Sequence, residues 1–486
     1  MRVNALRLRN RKPAALLRPR GAQYPRLRYA VVAVWISFLV FCLYRLTEEP
    51  FAAVAGAVVI ATVALLPAYL WANGAVPGLP ILPLNTLTFL WTHGLPLVVV
   101  YDEISSYDAT EILFSTACVA LYCVVATMVW AAVATGPVVV KRVRFYVLPR
   151  HRGFTFFLAA VCMGGLFVAS EVGGWFAIDA SIYGIVRSSI LAFTSVAFFV
   201  LSIRLGRGEL RPAQRGAFLA AAAFFVVCQI STLYLIGAII SMASALIGYT
   251  IGRGKVPWAA IAAALVVFGF LHSGKGEMRE RYWAEDSPRL SMTELPGFFS
   301  EWIVAGTREL SGSEKAFGSQ PIYERVGLMH LLLFVQRQSP DVMPYLEGAT
   351  YAFIPQLLVP RLIDPDKPHS HLGTAMLNVH YGIQSEEDTE RTTVAWGLLN
   401  EAYANFGLAG VAGLAVFTGL LFGFAGRLTV GAPVMSLEIM FGVTVAALAI
   451  QSEFTMGVFV TVLFQSVVVL LLVTPFLELR RAGDAA

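Results

Sequence analysis

The run FAAVAGAVVIATVALLPAYLW (residues 51–71) contains no charged side chain. An α-helix rises about 1.5 Å per residue and the hydrocarbon core of a bilayer is about 30 Å thick, so roughly 20 consecutive apolar residues predict a membrane-spanning helix. Other stretches of the chain meet the same criterion. The predicted spans lie at 29–46, 51–71, 81–101, 111–134, 153–175, 183–203, 216–232, 235–251, 256–272, 405–426, 433–450 and 457–476, about 12 in all.

The composition agrees with this pattern. Of the 486 residues, 57% are hydrophobic and 14% are charged, whereas a soluble domain has about 45–50% apolar and about 25% charged residues. These values exclude a water-soluble enzyme, a disordered chain and a nucleic-acid-binding protein. The alternating segments of about ten residues that build a transmembrane β-barrel do not occur. The predicted fold class is therefore an all-α polytopic membrane protein.

The basic residues assign a side to each connection. Residues 1–28 carry nine basic side chains and no acidic one, so the positive-inside rule predicts that this segment is cytoplasmic. Alternating spans then place the loops 135–152 and 204–215 and the C-terminal tail on the same side, and each of them is also basic. The connections TEEP (47–50) and YDEISSYD (101–108), on the opposite side, are acidic. We therefore predict that both termini are cytoplasmic.

No small-residue cleavage site follows the first apolar run, so the N-terminal segment is not predicted to be a cleavable signal peptide. It is predicted instead to anchor the topology and to contact anionic membrane lipid. All five cysteines lie inside predicted spans. A disulfide framework or an exposed thiol nucleophile is accordingly not expected.

The predicted organisation has five parts. They are a basic cytoplasmic segment (1–28), a nine-helix transmembrane region (29–272), a large periplasmic loop (273–404), a three-helix transmembrane region (405–476) and a cytoplasmic tail (477–486). The loop contains 18 of the 31 acidic residues and 11 of the 36 basic ones. Because polar side chains not needed for topology concentrate there, we expect the loop to carry the function.

The loop is predicted to contain short helices. Residues 276–283 and 294–310 have helical patterns, and ERVGLMHLLLFVQRQ (324–338) is an apolar helix too short to span, which packs against the bundle or lies at the interface. Four prolines make 348–371 irregular, with turns at Asp364-Pro365 and Lys367-Pro368. Irregular backbone at membrane depth is tolerated where it lines a cavity, so 348–371 is a candidate cavity lining.

Eight arginines and three lysines lie in this loop, on the side where topology disfavours them. Arginine binds phosphate through two parallel hydrogen bonds, which indicates a phosphate-bearing ligand. The alternative interpretation is that each arginine pairs with an acid of the loop. The cations at helix ends or in the proline-rich stretch are the candidate diphosphate-binding residues: Arg279, Arg325, Arg361 and Lys367.

Charged residues inside predicted spans suggest a second feature. Glu171 and Arg187 lie at the outer ends of adjacent spans, where they either form a structural ion pair or belong to a cavity wall. His93, in the third span, fits a buried hydrogen-bonded histidine better than a proton relay.

No metal ion or other cofactor is predicted. The sequence DPDKPHSH (364–371) places two aspartates and two histidines close together, but zinc sites usually take ligands at defined spacings on rigid elements, and two prolines interrupt this stretch. The acidic run EEDTE (386–390) is interpreted as a solvated surface.

The candidate general base lies near the tenth span. If the helix begins near Trp396, Glu401 and Asn405 are one turn apart on one face. Glu401 beside a cationic cavity could accept a proton, or it could be a structural acid, and the sequence leaves both roles open. His380 is the second candidate base, and Asn405 is a candidate cavity residue.

At these positions the chain resembles the bacterial oligosaccharide repeat-unit polymerases, the O-antigen polymerase family. The similar pieces are an arginine opening a loop helix (Arg325), Gly-x-Thr-Tyr (348–351), Pro-Arg followed by Pro-x-Lys-Pro (360–368) and Glu-x-Tyr-x-Asn-Phe-Gly (401–407). The resemblance covers about 100 residues of motif, together with the plan of many helices and one large loop near the C-terminal third.

The resemblance implies a fold like that of the GT-C glycosyltransferases and an enzyme of the bacterial inner membrane. It would join undecaprenyl-diphosphate-linked oligosaccharides at the periplasmic face into O-antigen or exopolysaccharide. A chain-length regulator or a flippase would be its partners. Two alternatives remain open: a glycan ligase of the O-antigen ligase type, and a lipid-linked oligosaccharide transporter or flippase. Transporters often have internal repeats, and none is visible here.

Overall fold

The chain is an all-α membrane protein. The structure, a computed structural model, describes residues 25–99, 102–136, 144–148, 150–175, 180–283, 290–291, 293–311, 327–361, 363–433 and 435–481. Within these ranges, eight helices are long and apolar enough to cross a membrane, or nine if one bent pair counts as a single span. Most of the predicted N-terminal segment 1–28 and the end of the tail lie outside the described residues.

The helix bounds follow the hydrophobic segments closely. From the N-terminus the helices are α1 (Pro25–Arg45), α2 (Phe51–Ala72), α3 (Ile81–Phe89), α4 (Asp102–Ser105), α5 (Ala109–Thr135), α6 (Arg150–Gly173), α7 (Ala180–Gly206), α8 (Pro212–Ser231), α9 (Leu235–Arg253) and α10 (Trp258–Ser273). They continue as α11 (Lys275–Tyr282), α12 (Leu295–Leu310), α13 (Met329–Gln338), α14 (Ala349–Ala352), α15 (Ile354–Leu357), α16 (Leu372–His380), α17 (Glu386–Arg391), α18 (Leu398–Leu428), α19 (Leu437–Ala449) and α20 (Met456–Val473).

Each predicted span corresponds to a helical segment, but not each helix is a full span. The predicted third, eighth and eleventh spans are α3, α9 and α19, which are not among the eight. α3 continues without interruption into a π-helical turn (Leu90–Gly94) and a 3-10 turn (Leu95–Leu97). The predicted ninth span is α10, which is bent by 52° from α11.

The chain forms two compact units, whose limits differ from the predicted boundaries. The first unit combines Met1–Val147 with Val326–Ala486, and the second is Leu148–Arg325. The predicted nine-helix region and the predicted loop are each divided between the two.

In the first unit, α5 and α18 pack closely because small residues let their backbones approach. A Cβ atom on Gly419 would lie 2.8 Å from the Val129 Cβ, and one on Gly423 would lie 2.9 Å from the Val133 Cβ. Such glycines four residues apart are typical of helix contacts inside membranes, where close packing replaces the hydrophobic effect as the driving force.

The second unit contains α6 to α12. α9 packs against α7 at Gly248 and Gly252, where an added Cβ would lie within 2.4 Å of a carbonyl oxygen of α7. α12 is held to α10 by the Trp302 indole, which donates to the Leu271 carbonyl at 2.8 Å. Phe298 and Trp302 are buried there with Leu233 and Met278 in one hydrophobic cluster.

A small antiparallel sheet joins distant parts of the first unit. Strands β1 (Arg144–Val147) and β2 (Glu478–Arg481) pair with Tyr146 opposite Leu479, and Val147 also forms a bridge with Ser436. Three segments that the sequence predicts on one side of the membrane, the 135–152 loop, the tail and the connection before α19, therefore meet at one place. The sequence analysis did not predict strands.

The short helices predicted in the large loop are present. α11 and α12 match the predicted segments 276–283 and 294–310. α13 occupies the later part of 324–338, and its buried face contains Leu331, Leu332 and Val335. Because α13 packs on α5 and α18, it lies against the bundle, which is one of the two predicted arrangements. The stretch 348–371 is less irregular than predicted, since α14 and α15 each form one helical turn there.

Candidate functional site

Two of the motif pieces, Gly-x-Thr-Tyr and Glu-x-Tyr-x-Asn-Phe-Gly, meet in the folded chain. The Gly348 amide donates to the Asn405 Oδ1 at 3.0 Å, and the Thr350 hydroxyl donates to the Glu401 Oε1 at 2.9 Å. We call Gly348, Thr350, Glu401 and Asn405 the Glu401 cluster. Thr350, Glu401 and Asn405 are fully buried, so the cluster is a buried polar network inside the first unit.

A break in α18 makes this contact possible. Phe406 and Gly407 leave helical geometry, and Gly407 has a φ of 57° and a ψ of −141°, a conformation that glycine adopts far more readily than other residues. The carbonyls of Ala404 and Asn405 accept instead from the amides of Leu346 and Glu347, at 3.0 and 3.1 Å. The segment 344–350 thus satisfies backbone groups that the break would leave unpaired.

The Asn405 side chain joins the two sides of the cluster. Its Nδ2 donates to the Thr350 Oγ1 at 2.9 Å and to the Glu401 carbonyl at 2.8 Å. Glu401 and Asn405 are one turn apart on one helix face, as the sequence predicted. With the Gly348 contact, the amide uses its oxygen and its nitrogen, and this fixes its orientation.

Glu401 is held by two different segments. Besides Thr350, the amide of Met456 donates to its Oε2 at 2.5 Å. Met456 is the first residue of α20, so the carboxylate caps a helix N-terminus, where the helix dipole favours negative charge. These contacts match the structural role that the sequence left open, although the partners are a hydroxyl and a helix end rather than an arginine.

His380, at the end of α16, is the more accessible of the two candidate bases. Its Nε2 lies 3.1 Å from the Pro344 carbonyl oxygen. A carbonyl only accepts, so Nε2 carries the proton, and in a neutral imidazole Nδ1 is then an acceptor. The side chain is half-buried. Pro344 adjoins Tyr345, whose ring packs on Tyr403 at 6.0 Å, and this connects His380 to the segment that carries the Glu401 cluster.

Two of the four predicted diphosphate-binding cations lie together, Arg361 and Lys367. Arg361 donates to the Pro365 carbonyl at 2.9 Å and lies 3.3 Å from the His369 Nδ1. Lys367 donates to the carbonyls of Leu357 and Val359, at 2.9 and 2.6 Å. Within the part of the chain that the structure describes, neither cation forms an ion pair with a carboxylate at 4 Å or less.

The pKa of Lys367 reflects its position beside Arg361. Burial and the nearby Arg361 guanidinium lower the pKa of Lys367, and Asp364 acts in the opposite direction. A lysine with a lowered pKa is one whose positive charge is poorly compensated by the protein. An anionic ligand would supply that compensation.

Arg279 and Arg325 complete the set of four predicted cations. Arg279 belongs to the second unit, where its guanidinium lies 4.1 Å from the Trp283 ring centre and 5.4 Å from that of Tyr234, and it donates to the Leu233 carbonyl at 3.1 Å. Arg325 lies outside the described residues.

Glu171 and Arg187 adopt one of the two predicted arrangements. The Arg187 Nε lies 3.6 Å from the Glu171 Oε1, and the Tyr183 hydroxyl donates to the same carboxylate. The two residues are therefore an ion pair, in the second unit. Arg337 forms a similar contact in the first unit, donating twice to Glu111 at 2.7 Å.

Among the described residues, no group of three or more His, Cys, Asp or Glu side chains is arranged to hold a metal ion. The sequence reasoning missed the role of Thr350, which joins Glu401 to Asn405. The Gly-x-Thr-Tyr piece was its only signal, and a short motif does not reveal its partner.

Comparison of the chain with protein-family models, with curated proteins and with solved structures finds no match.

Proposed function

We propose that the chain is a polysaccharide polymerase that joins undecaprenyl-diphosphate-linked repeat units by metal-independent glycosyl transfer. The observation that carries the proposal is the pair Arg361 and Lys367, which have no carboxylate at ion-pair distance in the described part of the chain. The pair belongs to the same loop as the Gly348–Tyr351 motif that docks on Glu401 and Asn405.

The chemistry needs these residue types. As the bond between the sugar C1 and the diphosphate oxygen breaks, negative charge develops on the leaving undecaprenyl diphosphate, and preorganised cations stabilise that charge. The Arg361 fork suits two phosphate oxygens, and Lys367 adds a point charge. A hydroxyl of the incoming repeat unit forms the new bond to C1, and a base accepts its proton.

Of the two candidate bases, His380 suits this step better. Its Nδ1 is an acceptor on a half-buried side chain, whereas Glu401 is fully buried and both its oxygens already accept hydrogen bonds. We therefore propose His380 as the base and Glu401 with Asn405 as positioning residues. They hold the segment 344–350, which in turn orients His380 through the Pro344 carbonyl.

The proposed topology has twelve spans in the bacterial inner membrane, both termini cytoplasmic and the large loop periplasmic. The strand pair β1–β2 and the bridge to Ser436 support it, because they join segments that the twelve-span topology places on the same side. A topology with an odd number of spans between β1 and β2 would separate them.

One assay tests the function. Purified protein in detergent, where there are no membrane sides to transport across, receives repeat units linked to undecaprenyl diphosphate. We expect a ladder of lengthening glycans on a gel. Transfer that requires an added core acceptor would instead favour a ligase, and inertness in every mixture would favour transport.

A further inference from the structure

The end of α10 marks the edge of the membrane in the second unit. α10 contains no Asp, Glu, Lys or Arg, whereas five of the eight residues of α11 are charged. The structure describes every residue of α10, and Leu265 and Val266 are 70% and 71% exposed. A helix that is apolar on all sides and still exposed belongs in lipid. The hydrocarbon therefore ends near the change from α10 to α11.

An aromatic pair supports this boundary. Tyr234 precedes α9 and Trp283 follows α11, and their ring centres lie 4.8 Å apart. Both side chains are exposed, and tyrosine and tryptophan at the ends of spans are typical of the boundary between lipid and water. Leu233, next to Tyr234, is buried in one cluster with Leu271 of α10. The turn before α9 and the end of α10 therefore lie at one depth.

The helix α12 packs across the boundary. Phe298, in its first turn, contacts α11 through the Tyr282 ring, with ring centres 4.9 Å apart. Trp302 donates to a carbonyl of α10 at 2.8 Å, and a Cβ on Gly306 would lie 3.2 Å from the Phe270 carbonyl oxygen. The second half of α12 thus lies beside the last turn of α10.

One flank of α12 is charged and is bound by α11. Glu301 lies 3.2 Å from the Arg281 Nη1 and accepts from the Tyr282 hydroxyl at 2.7 Å. The Arg308 Nη2 lies 3.4 Å from the Glu277 Oε1. Glu301 and Arg308 are seven residues apart, about two helical turns, so they share a flank. This flank faces the charged helix, on the water side of the boundary.

The opposite flank is apolar and exposed. Ile303 and Leu310 each lie two residues after one of the charges, and two residues correspond to about 200° around a helix with 3.6 residues per turn. Their side chains are 54% and 67% exposed. Because the charged flank faces α11, the flank of Ile303 and Leu310 faces away from α11, on the hydrocarbon side of the boundary.

The hydroxyl groups on the outer surface of α12 donate within the helix. Ser300 donates to the Gly297 carbonyl at 2.7 Å, and Thr307 donates to the Ile303 carbonyl at 2.7 Å. Ser311, directly after the helix, donates to the Arg308 carbonyl at 2.8 Å. Donors that are satisfied in this way do not need water, which permits serine and threonine to lie at membrane depth.

We infer that the acyl chains of the bilayer cover the flank of Ile303 and Leu310, so that α12 is an interfacial helix of the leaflet from which α11 emerges. Such helices lie in the plane of the interface, with one apolar face about 5–10 Å into the boundary between headgroups and acyl chains. Part of the predicted periplasmic loop then belongs to the membrane. The inference does not rest on the proposed glycosyl transfer.

Electron paramagnetic resonance of full-length protein in phospholipid nanodiscs tests this placement. In a background without the five native cysteines, a nitroxide label is attached at Ile303→Cys or at Leu310→Cys. Oxygen concentrates in hydrocarbon, and a water-soluble nickel chelate does not enter it. We expect the ratio of oxygen collisions to nickel collisions to be severalfold higher at both positions than at a control on the charged flank. Because the discs contain phospholipid alone, a prenyl-linked substrate cannot produce the effect.

Gly297→Cys is the matched control. Gly297 lies one turn before Glu301 and has open space around it, so a label there should reach water and the nickel chelate. A high nickel accessibility at all three positions would place the apolar flank in water and overturn the inference. Protection of the labels at 303 and 310 from both reagents would overturn it as well, because protein would then cover the flank. Dipolar broadening between labels would identify that protein as a second copy of the chain.

Discussion

At the scale of single residues, two buried polar side chains of the first unit each hold several separate segments of the chain together. Glu401 joins α14, α18 and α20 through one carboxylate, and Asn405 joins α18 to the preceding loop through one amide. A side chain held in this way loses its freedom to accept a proton from substrate. The half-buried His380 keeps that freedom at its Nδ1 atom.

The roles of His380 and Glu401 can be separated. We expect His380→Ala to lower turnover by about 10²–10⁴-fold, the usual contribution of a general base, with binding of the lipid-linked donor retained. Glu401→Gln keeps the shape and an acceptor for the Met456 amide, so turnover should fall much less. Loss of transfer in Glu401→Gln with normal folding and donor binding would return the base to Glu401, and normal activity in both variants would place it elsewhere.

Arg361 is expected to act through its planar fork as well as its charge. Arg361→Lys keeps the charge and removes bidentate binding, so polymer yield should fall roughly 10- to 100-fold, which corresponds to about 1.5–3 kcal/mol for a lost charge-assisted hydrogen bond. The matched control is Arg281→Lys, at an exposed arginine that pairs with Glu301 at 3.2 Å. Equal yields from the two variants would refute a phosphate-binding role for Arg361.

Lys367 should give diphosphate binding a characteristic pH dependence. An ordinary lysine has a pKa of about 10.4. Burial and Arg361 lower the pKa of Lys367, so this side chain loses its proton at a lower pH than an ordinary lysine does. The protonated form binds the anion, so affinity should be constant at lower pH and should weaken as the pH rises through the lowered pKa. Lys367→Arg, always charged, should keep its affinity over that range, and parallel affinity curves for the two proteins would contradict the assignment.

At the scale of elements, the break in α18 decides the geometry of the candidate site. The helix ends its first segment at Asn405 and resumes after Gly407. A Cβ on Gly407 would lie 2.7 Å from the Tyr345 hydroxyl, and one on Gly410 would lie 2.1 Å from the Ala402 carbonyl. The glycines of NFGLAG therefore allow the tight approach that brings segment 344–350 to the break.

Gly407→Ala tests this element. The positive φ and the contact with Tyr345 should make the variant less stable by about 1–3 kcal/mol, measured as a lower thermal unfolding temperature in detergent. Gly413→Ala is the control, because it lies on the same helix with open space around it. That change should be neutral or stabilising by up to about 1 kcal/mol. Similar unfolding temperatures in both variants would show that the break does not require glycine.

At the scale of the whole molecule, the strand pair links chain segments that are far apart in sequence. β1 follows α5 and β2 follows α20, so their pairing requires that both segments reach the same side of the membrane. The exposed side chains Tyr146 and Leu479 are partners in the register.

A disulfide experiment checks the pairing. Opposed residues of an antiparallel pair have Cα atoms about 4.5–5.5 Å apart, within the range of a disulfide. In a background without the five native cysteines, Tyr146→Cys with Leu479→Cys should cross-link under mild oxidation, detected as a linked peptide by mass spectrometry. Tyr146→Cys with Arg480→Cys places the thiols on opposite faces and should not. Equal cross-linking of both pairs would exclude the register.

The sequence by itself determined the fold class and the position of most helices. The hydrophobicity of a segment depends only on its own residues. The run 51–71 therefore predicts a membrane-spanning helix without any knowledge of the segments that pack against it. The same local reasoning placed α11 and α12 and put Glu401 and Asn405 on one face of α18, because helical spacing alone decides that.

Only the tertiary structure decided which of the predicted polar residues meet. Thr350 reaches Glu401, and Arg361 lies near Lys367, through hydrogen bonds and turns that depend on distant segments, whereas Arg279 is held by aromatic rings in the other unit. The sequence could not distinguish a base from a helix cap at Glu401, because the difference is made by the Met456 amide of α20. Burial and hydrogen-bond partners are properties of the folded chain, and no local pattern contains them.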